Sequence, residues 1–312
     1  MKKLMLTVFA AIVATAMVSA QDIKVLTETY NNGATALSLG QKAEAIAYFQ
    51  QAIELAKALP DNAPAQEIAE KCNEHIPIVQ FSIAKDFVNA ADYDNAVAEL
   101  KKTIETAQAF KDETTATEAK DLIPQVLMQK GNSLLQAKDF AAAADAYKAV
   151  VEANPANGLA YLRLGSALNA AGDKEGAVDA FLKAVENGQE KAANKQLSTF
   201  YLKEAAADLK AKKPADAVAN ALKSNEYLEN AKALQIAGQA SQIQGKNADA
   251  IQYFDKYLEL APTASNAGQI AFTIGAIYQK QGNNAKAKEY YQKAVGDPKF
   301  GVQAQELLKN LK

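Results

Sequence analysis

The feature that most constrains this chain is a spacing that recurs along it. From Gly165, Ala177 lies 12 residues on, Phe181 16 and Ala184 19. The same ruler laid at Gly33 meets Ala45, Phe49 and Ala52. At Gly131 it meets Ala143, Tyr147 and Val150; at Gly238, Ala250, Phe254 and Tyr257; at Gly275, Ala287, Tyr291 and Ala294. Weaker fits start at Ala84 (Ala96, Leu100, Thr103) and Ala205 (Ala217, Ala221, Ser224). Small residues at fixed intervals let two helices approach closely, and one large side chain fills the space beside them. A helix pair of this kind cannot bury its apolar face alone, so the units must stack.

Punctuation falls between these marks. Gly40, Gly172, Gly245 and Gly282 stand seven residues after their origins, where a left-handed residue ends a helix cheaply. Asp92, Asp139, Asp173 and Asn283 stand one residue later, where a side chain caps the next helix. Pro155 and Pro262 force the chain to turn after a second helix. Abundant Ala, Leu, Lys, Gln and Glu favour helix throughout, and Trp is absent. Each unit reads as helix, tight turn, helix.

The Gly/Ala, Ala, Phe/Tyr, Ala, Pro series resembles the tetratricopeptide repeat family, most closely in YLRLGSALNAAGDKEGAVDAFLKA from Tyr161. The family's Trp near the start of the first helix is replaced by Leu127, Tyr161 or Leu234. The resemblance implies an all-α, right-handed superhelical solenoid of antiparallel helix hairpins, about seven of them over residues 21–298. Residues 299–312 are then a capping helix. The origins are unevenly spaced: the first two intervals are 51 and 47 residues, against a family period of about 34. NEHIPIVQFSIAKDF and AKDLIPQVLMQKGNS account for the excess, so the first two or three hairpins have extended helices. Pro77 and Pro124 either start a new helix or kink a continuous one. LPDNAPAQ (Leu59 to Gln66) and FKDETTAT (Phe110 to Thr117) read as turns. KEAAADLKAKKPADAVANALKS lacks both Gly and aromatic, and is expected to mark a bend or a looser joint.

The first residues, MKKLMLTVFAAIVATAMVSAQD, have a basic start, an apolar run and small residues before a cut. Residues 1–20 read as a secretory signal peptide cleaved after Ala20, with no stable membrane insertion afterwards. The expectation is a periplasmic or secreted bacterial protein. Removing Lys2 and Lys3 leaves 32 basic against 36 acidic residues, which argues against a nucleic-acid partner. Cys72 is the one cysteine, so no internal disulfide can form. His75 lies one helical turn on, but two side chains make at most half a metal site. No phosphate loop or nucleophile elbow is present, and carboxylate pairs such as Glu67 with Glu70 read as solvated helix faces. No catalysis, cofactor or metal is expected.

Binding is the better class, and the resemblance implies that first-helix side chains line a concave face. The family's groove positions fall on Gln125, Met128, Asn132 and Leu135; on Leu162, Ser166 and Asn169; on Gln235, Gln239 and Gln242; and on Gln269, Phe272 and Gln279. This face reads as neutral and amide-rich, able to hydrogen-bond a peptide backbone. The expected function is an exported, non-catalytic scaffold for a protein or peptide partner. The alternatives are a structural protein that self-assembles as a homo-oligomer, and a receptor for a cell-envelope ligand.

Overall fold

The computed structural model describes residues 20–311. They fall into two compact units that meet at Asn154 and Pro155. The signal-peptide reading falls on residues 1–20, of which 1–19 lie outside the described ones. Among the described residues no helix is long and apolar enough to cross a membrane.

The first unit holds three hairpins: Ala20–Ser38 (α1) with Lys42–Lys57 (α2), Ala63–Asn89 (α3) with Tyr93–Ala109 (α4), and Glu113–Gln136 (α5) with Phe140–Ala153 (α6). The second holds four: Gly158–Ala171 (α7) with Lys174–Ala184 (α8), Glu190–Lys210 (α9) with Pro214–Tyr227 (α10), Ala231–Ile243 (α11) with Asn247–Leu260 (α12), and Ala267–Lys280 (α13) with Asn284–Ala294 (α14). Gly301–Asn310 (α15) follows; its buried Ala304 packs with Ala271, Ala287 and Tyr291 of the last hairpin.

The ruler is a packing code. The Ala twelve residues after each origin is 0% exposed in all seven hairpins. Under every aromatic the origin is Gly, and the space is full: a Cβ on Gly165 would lie 2.7 Å from the Phe181 ring, and on Gly238 2.5 Å from Phe254. Where the origin is Ala the opposing residue shrinks to match, giving Ala84 with Leu100 and Ala205 with Ala221, all buried. The α9–α10 hairpin is therefore not loose. Its small residues interlock, and Ser224 Oγ donates to the Ser198 carbonyl at 2.8 Å in the buried interior. The irregularity lies just before it, at Val185–Gln189, where Asn187 leaves helical geometry and Gly188 has φ +83°.

One turn geometry joins both helices of every hairpin. The residue seven after each origin has positive φ, including the non-glycines Ala91 (57°), Lys138 (62°) and Lys212 (59°). The next N–H reaches back to the carbonyl three after the origin, as from Asp173 to Leu168 (3.0 Å) and Asp139 to Leu134 (2.9 Å). Asp92, Asp139, Asp173 and Asn283 each cap the following helix. A left-handed non-glycine costs roughly 1–2 kcal/mol, partly offset by the greater chain entropy of Gly when unfolded. Lys138→Gly should therefore raise stability by about 0.5–1 kcal/mol in urea unfolding. A loss would refute the strain.

Of the two alternatives for Pro77 and Pro124 the continuous helix holds: they lie inside α3 and α5. One expectation is corrected. The segments from Leu59 and Phe110 are turns only in their first halves. Asn62 Oδ1 accepts from Ala65 N (3.0 Å) and Asp112 Oδ1 from Thr115 N (3.0 Å), so helices start at Ala63 and Glu113. Pro64 is tolerated there because a first-turn N–H has no intrahelical partner.

Candidate partner-binding face

In the first unit α3 touches both α1 and α5; in the second α9 touches both α7 and α11. Within each unit, taken by itself, first helices thus lie side by side, with one flank against the second helices and one free. The free flank is read from burial. It carries the residues six and two before each origin and one and five after it. All are exposed or half-buried except Ile236, which is buried.

The sequence-predicted residues divide on this map. Gln125 and Gln269, both exposed, and the half-buried Gln239 fall on the free flank, whereas Met128, Leu162 and Gln235 (three before an origin) and Leu135, Asn169 and Gln242 (four after) stand beside it, all half-buried but the exposed Gln242. Four others are engaged internally. Asn132 Oδ1 accepts from Tyr147 Oη (2.8 Å), and Gln279 Oε1 from Tyr291 Oη (2.6 Å). Ser166 Oγ donates to the Leu162 carbonyl (2.9 Å). The Phe272 ring lies 5.2 Å from Tyr291 and 5.1 Å from Phe300. These four are thus partly scaffold. A tyrosine inserted against a glycine must satisfy its hydroxyl, and the nearest first-helix amide does so.

The amide-rich character holds for the first unit, whose flank carries Asn31, Asn89, Gln125, Gln129 and Gln136 with Lys85 as its one cation. It does not hold for the second. Arg163, Lys203, Lys210, Lys232 and Lys280 are all exposed on its flank. The positions taken from the resemblance passed over all five. The signal that finds them is charge counted along the exposed stripe of each first helix.

Groups with reactive potential elsewhere are engaged in structure. Cys72 is fully buried, and burial pushes its thiol up to about 11, away from thiolate chemistry. The His75 ring lies 5.6 Å from Phe49 and 6.4 Å from Tyr30. A cavity of about 630 Å³ opens among α12, α13, α14 and the turn before α15. Two of its carboxylates are already committed. Asp255 accepts from Tyr290 Oη (2.6 Å); burial first, then that bond, pushes the phenol well up. Asp297 accepts from the N–H groups of Phe300 (2.9 Å) and Lys299 (2.8 Å), which hold its carboxyl below the usual range.

Comparison with known families agrees with this architecture. A tetratricopeptide repeat model matches residues 128–192 and 202–265, and a second of the same description matches 30–59 and 268–296. Together they span more than half of the chain. The chain belongs to the tetratricopeptide repeat family. The two copies of the first model reach from α5 to the turn after α12, and the second covers the first and last hairpins. Similar solved structures include the MamA protein, at 22% identity over 59% of this chain and 96% of that one, TM-score 0.38. Another is YrrB, described as a tetratricopeptide repeat protein with an unusual peptide-binding site, at 20% identity over 59% and 91%, TM-score 0.35. The C-terminal part of a tetratricopeptide repeat protein from Cytophaga hutchinsonii aligns over 92% and 99% at 18% identity, TM-score 0.40. No curated protein matches the sequence significantly.

Proposed function

We propose that this tetratricopeptide repeat protein is an exported, non-catalytic scaffold that binds a protein or peptide partner on the free flank of its first helices. The observation that carries the reading is the division of labour along those helices. Residues at the ruler positions are consumed by packing, while the flank six and two before and one and five after each origin is left to solvent. Stacked hairpins of this family present such a surface without a moving part, so little ordering entropy opposes binding. Export rests on the basic, apolar and small-residue run of residues 1–20.

The test is site-specific photocrosslinking in cells. A crosslinker at Ala206 or Ala276, both exposed on the flank, should capture one discrete partner. One at Lys256, exposed on α12, should not. Equal capture from all three sites would remove the assignment of the face. N-terminal sequencing of the purified chain should begin at Gln21; an intact Met1 would remove the export reading.

A further inference from the structure

We infer that the first-helix flank of the second unit takes an acidic, extended protein segment with apolar side chains among its carboxylates. This rests on the scaffold reading and names the chemistry of the partner.

The argument is a segregation of charge. Helices α7, α11 and α13 contain no Asp or Glu. In α9 there are three acids: Glu190 is exposed in the first turn, away from the flank positions, while Glu204 is bonded to Lys174 of α8 (2.7 Å) and Asp208 to Asn220 of α10 (2.8 Å), so these two turn toward second helices. The flank itself holds Arg163, Lys203, Lys210, Lys232 and Lys280, and none of them stands in an ion pair among the described residues. Exposed acids of the unit are found on the second helices, among them Asp179, Asp216, Asp249 and Glu259. The chain as a whole has more acids than bases, so a surface without a carboxylate is not a consequence of composition.

Cations of one sign on one face raise a field that steers carboxylates and persists over a Debye length, about 8 Å at physiological salt. Between the cations the flank is apolar in places. Leu159 is 45% and Ile243 66% exposed. Long carboxylate side chains with interspersed apolar ones match that alternation. Nucleic acid fits it less well. Five cations over four helices are sparse against a phosphate backbone, and the exposed positions of the flank carry no aromatic ring for base stacking.

The experiment selects a random linear peptide library against the full chain at low salt. Three proteins are compared: the unaltered chain, Arg163→Glu/Lys203→Glu/Lys210→Glu, and the control Lys256→Glu/Lys288→Glu/Lys309→Glu, exposed positions of α12, α14 and α15. The unaltered chain and the control should enrich Asp and Glu over Lys and Arg. The flank variant should bind the selected peptides about tenfold or more weakly, as three exposed pairs lost together allow. Selected peptides without acidic bias that still lose binding when Ala206 is changed to Trp would overturn the charge inference and leave the scaffold reading standing. Selected peptides indifferent to every flank change, or no selection at all, would overturn both. Equal binding of a single-stranded oligonucleotide, or self-association abolished by the flank variant, would replace the acidic segment by nucleic acid or by a second copy.

Discussion

Replacing Phe181 by Ala is expected to cost the second unit about 3–5 kcal/mol, the usual loss for emptying a fully packed aromatic site. The ring is 1% exposed and packs with Ala177, Ala184, Ala193 and Leu197, so it serves its own hairpin and the next helix together. The nearest neighbours Gly165, Ala177, Ala184 and Ala193 are too small to fill the space. Urea unfolding followed by circular dichroism measures the loss; a change under about 1 kcal/mol would show that the site collapses after all. The reverse substitution tests the same contact from below. In Gly165→Ala the new methyl would stand 2.7 Å from the ring, and overpacking should cost about 1–3 kcal/mol. Gly165→Ala/Phe181→Leu rebuilds the pairing of Ala84 with Leu100. It should recover stability relative to the sum of its single changes. Strictly additive losses would mean that the glycine and the ring do not read each other.

Gly158→Ala is expected to be, with Gly301→Ala, among the costliest of the glycine-to-alanine changes. A Cβ on Gly158 would lie 2.2 Å from the carbonyl oxygen of Asn187, and backbone cannot swing aside as a ring can. Asn187 and Gly188 break helical geometry between α8 and α9, and Asn187 Nδ2 donates to the Lys183 carbonyl at 2.8 Å. The start of α7 is thus seated directly on that break. The substitution should cost about 2–3 kcal/mol and speed amide exchange over residues 185–190. Gly296→Ala is the control, since its Cβ would meet nothing within 4 Å and its φ is not positive. If both changes proved equally mild, the contact at Asn187 would carry no weight.

The two kinds of position differ in how far they can be read from sequence. Ruler positions are read because packing demands a size: Gly beneath a ring, Ala where two helices touch, Gly at a left-handed turn. The reading weakens where the demand is met another way. Ala91, Lys138 and Lys212 take the same left-handed turn without glycine, and Ala205 with Ala221 packs without ring or glycine. Pro77 and Pro124 left two alternatives open for a related reason. A proline signals a helix boundary locally, and only the neighbouring helices decide that α3 and α5 run on through it.

Positions on the free flank obey no such demand, and there spacing is silent. Asn132, Ser166, Phe272 and Gln279 occupy groove positions by spacing, yet each makes a contact within the fold. Arg163, Lys203 and Lys280 went unnoticed because nothing in the repeat requires them. From the sequence alone came the helical class, the hairpin as the unit, its seven origins and the residues that pack it, because close packing restricts size at fixed intervals. Only the tertiary structure decided the division at Asn154, the continuity of α3 and α5, and the charge of the second unit's exposed flank. Those depend on which side of each helix is buried, and that is settled by the neighbouring helices.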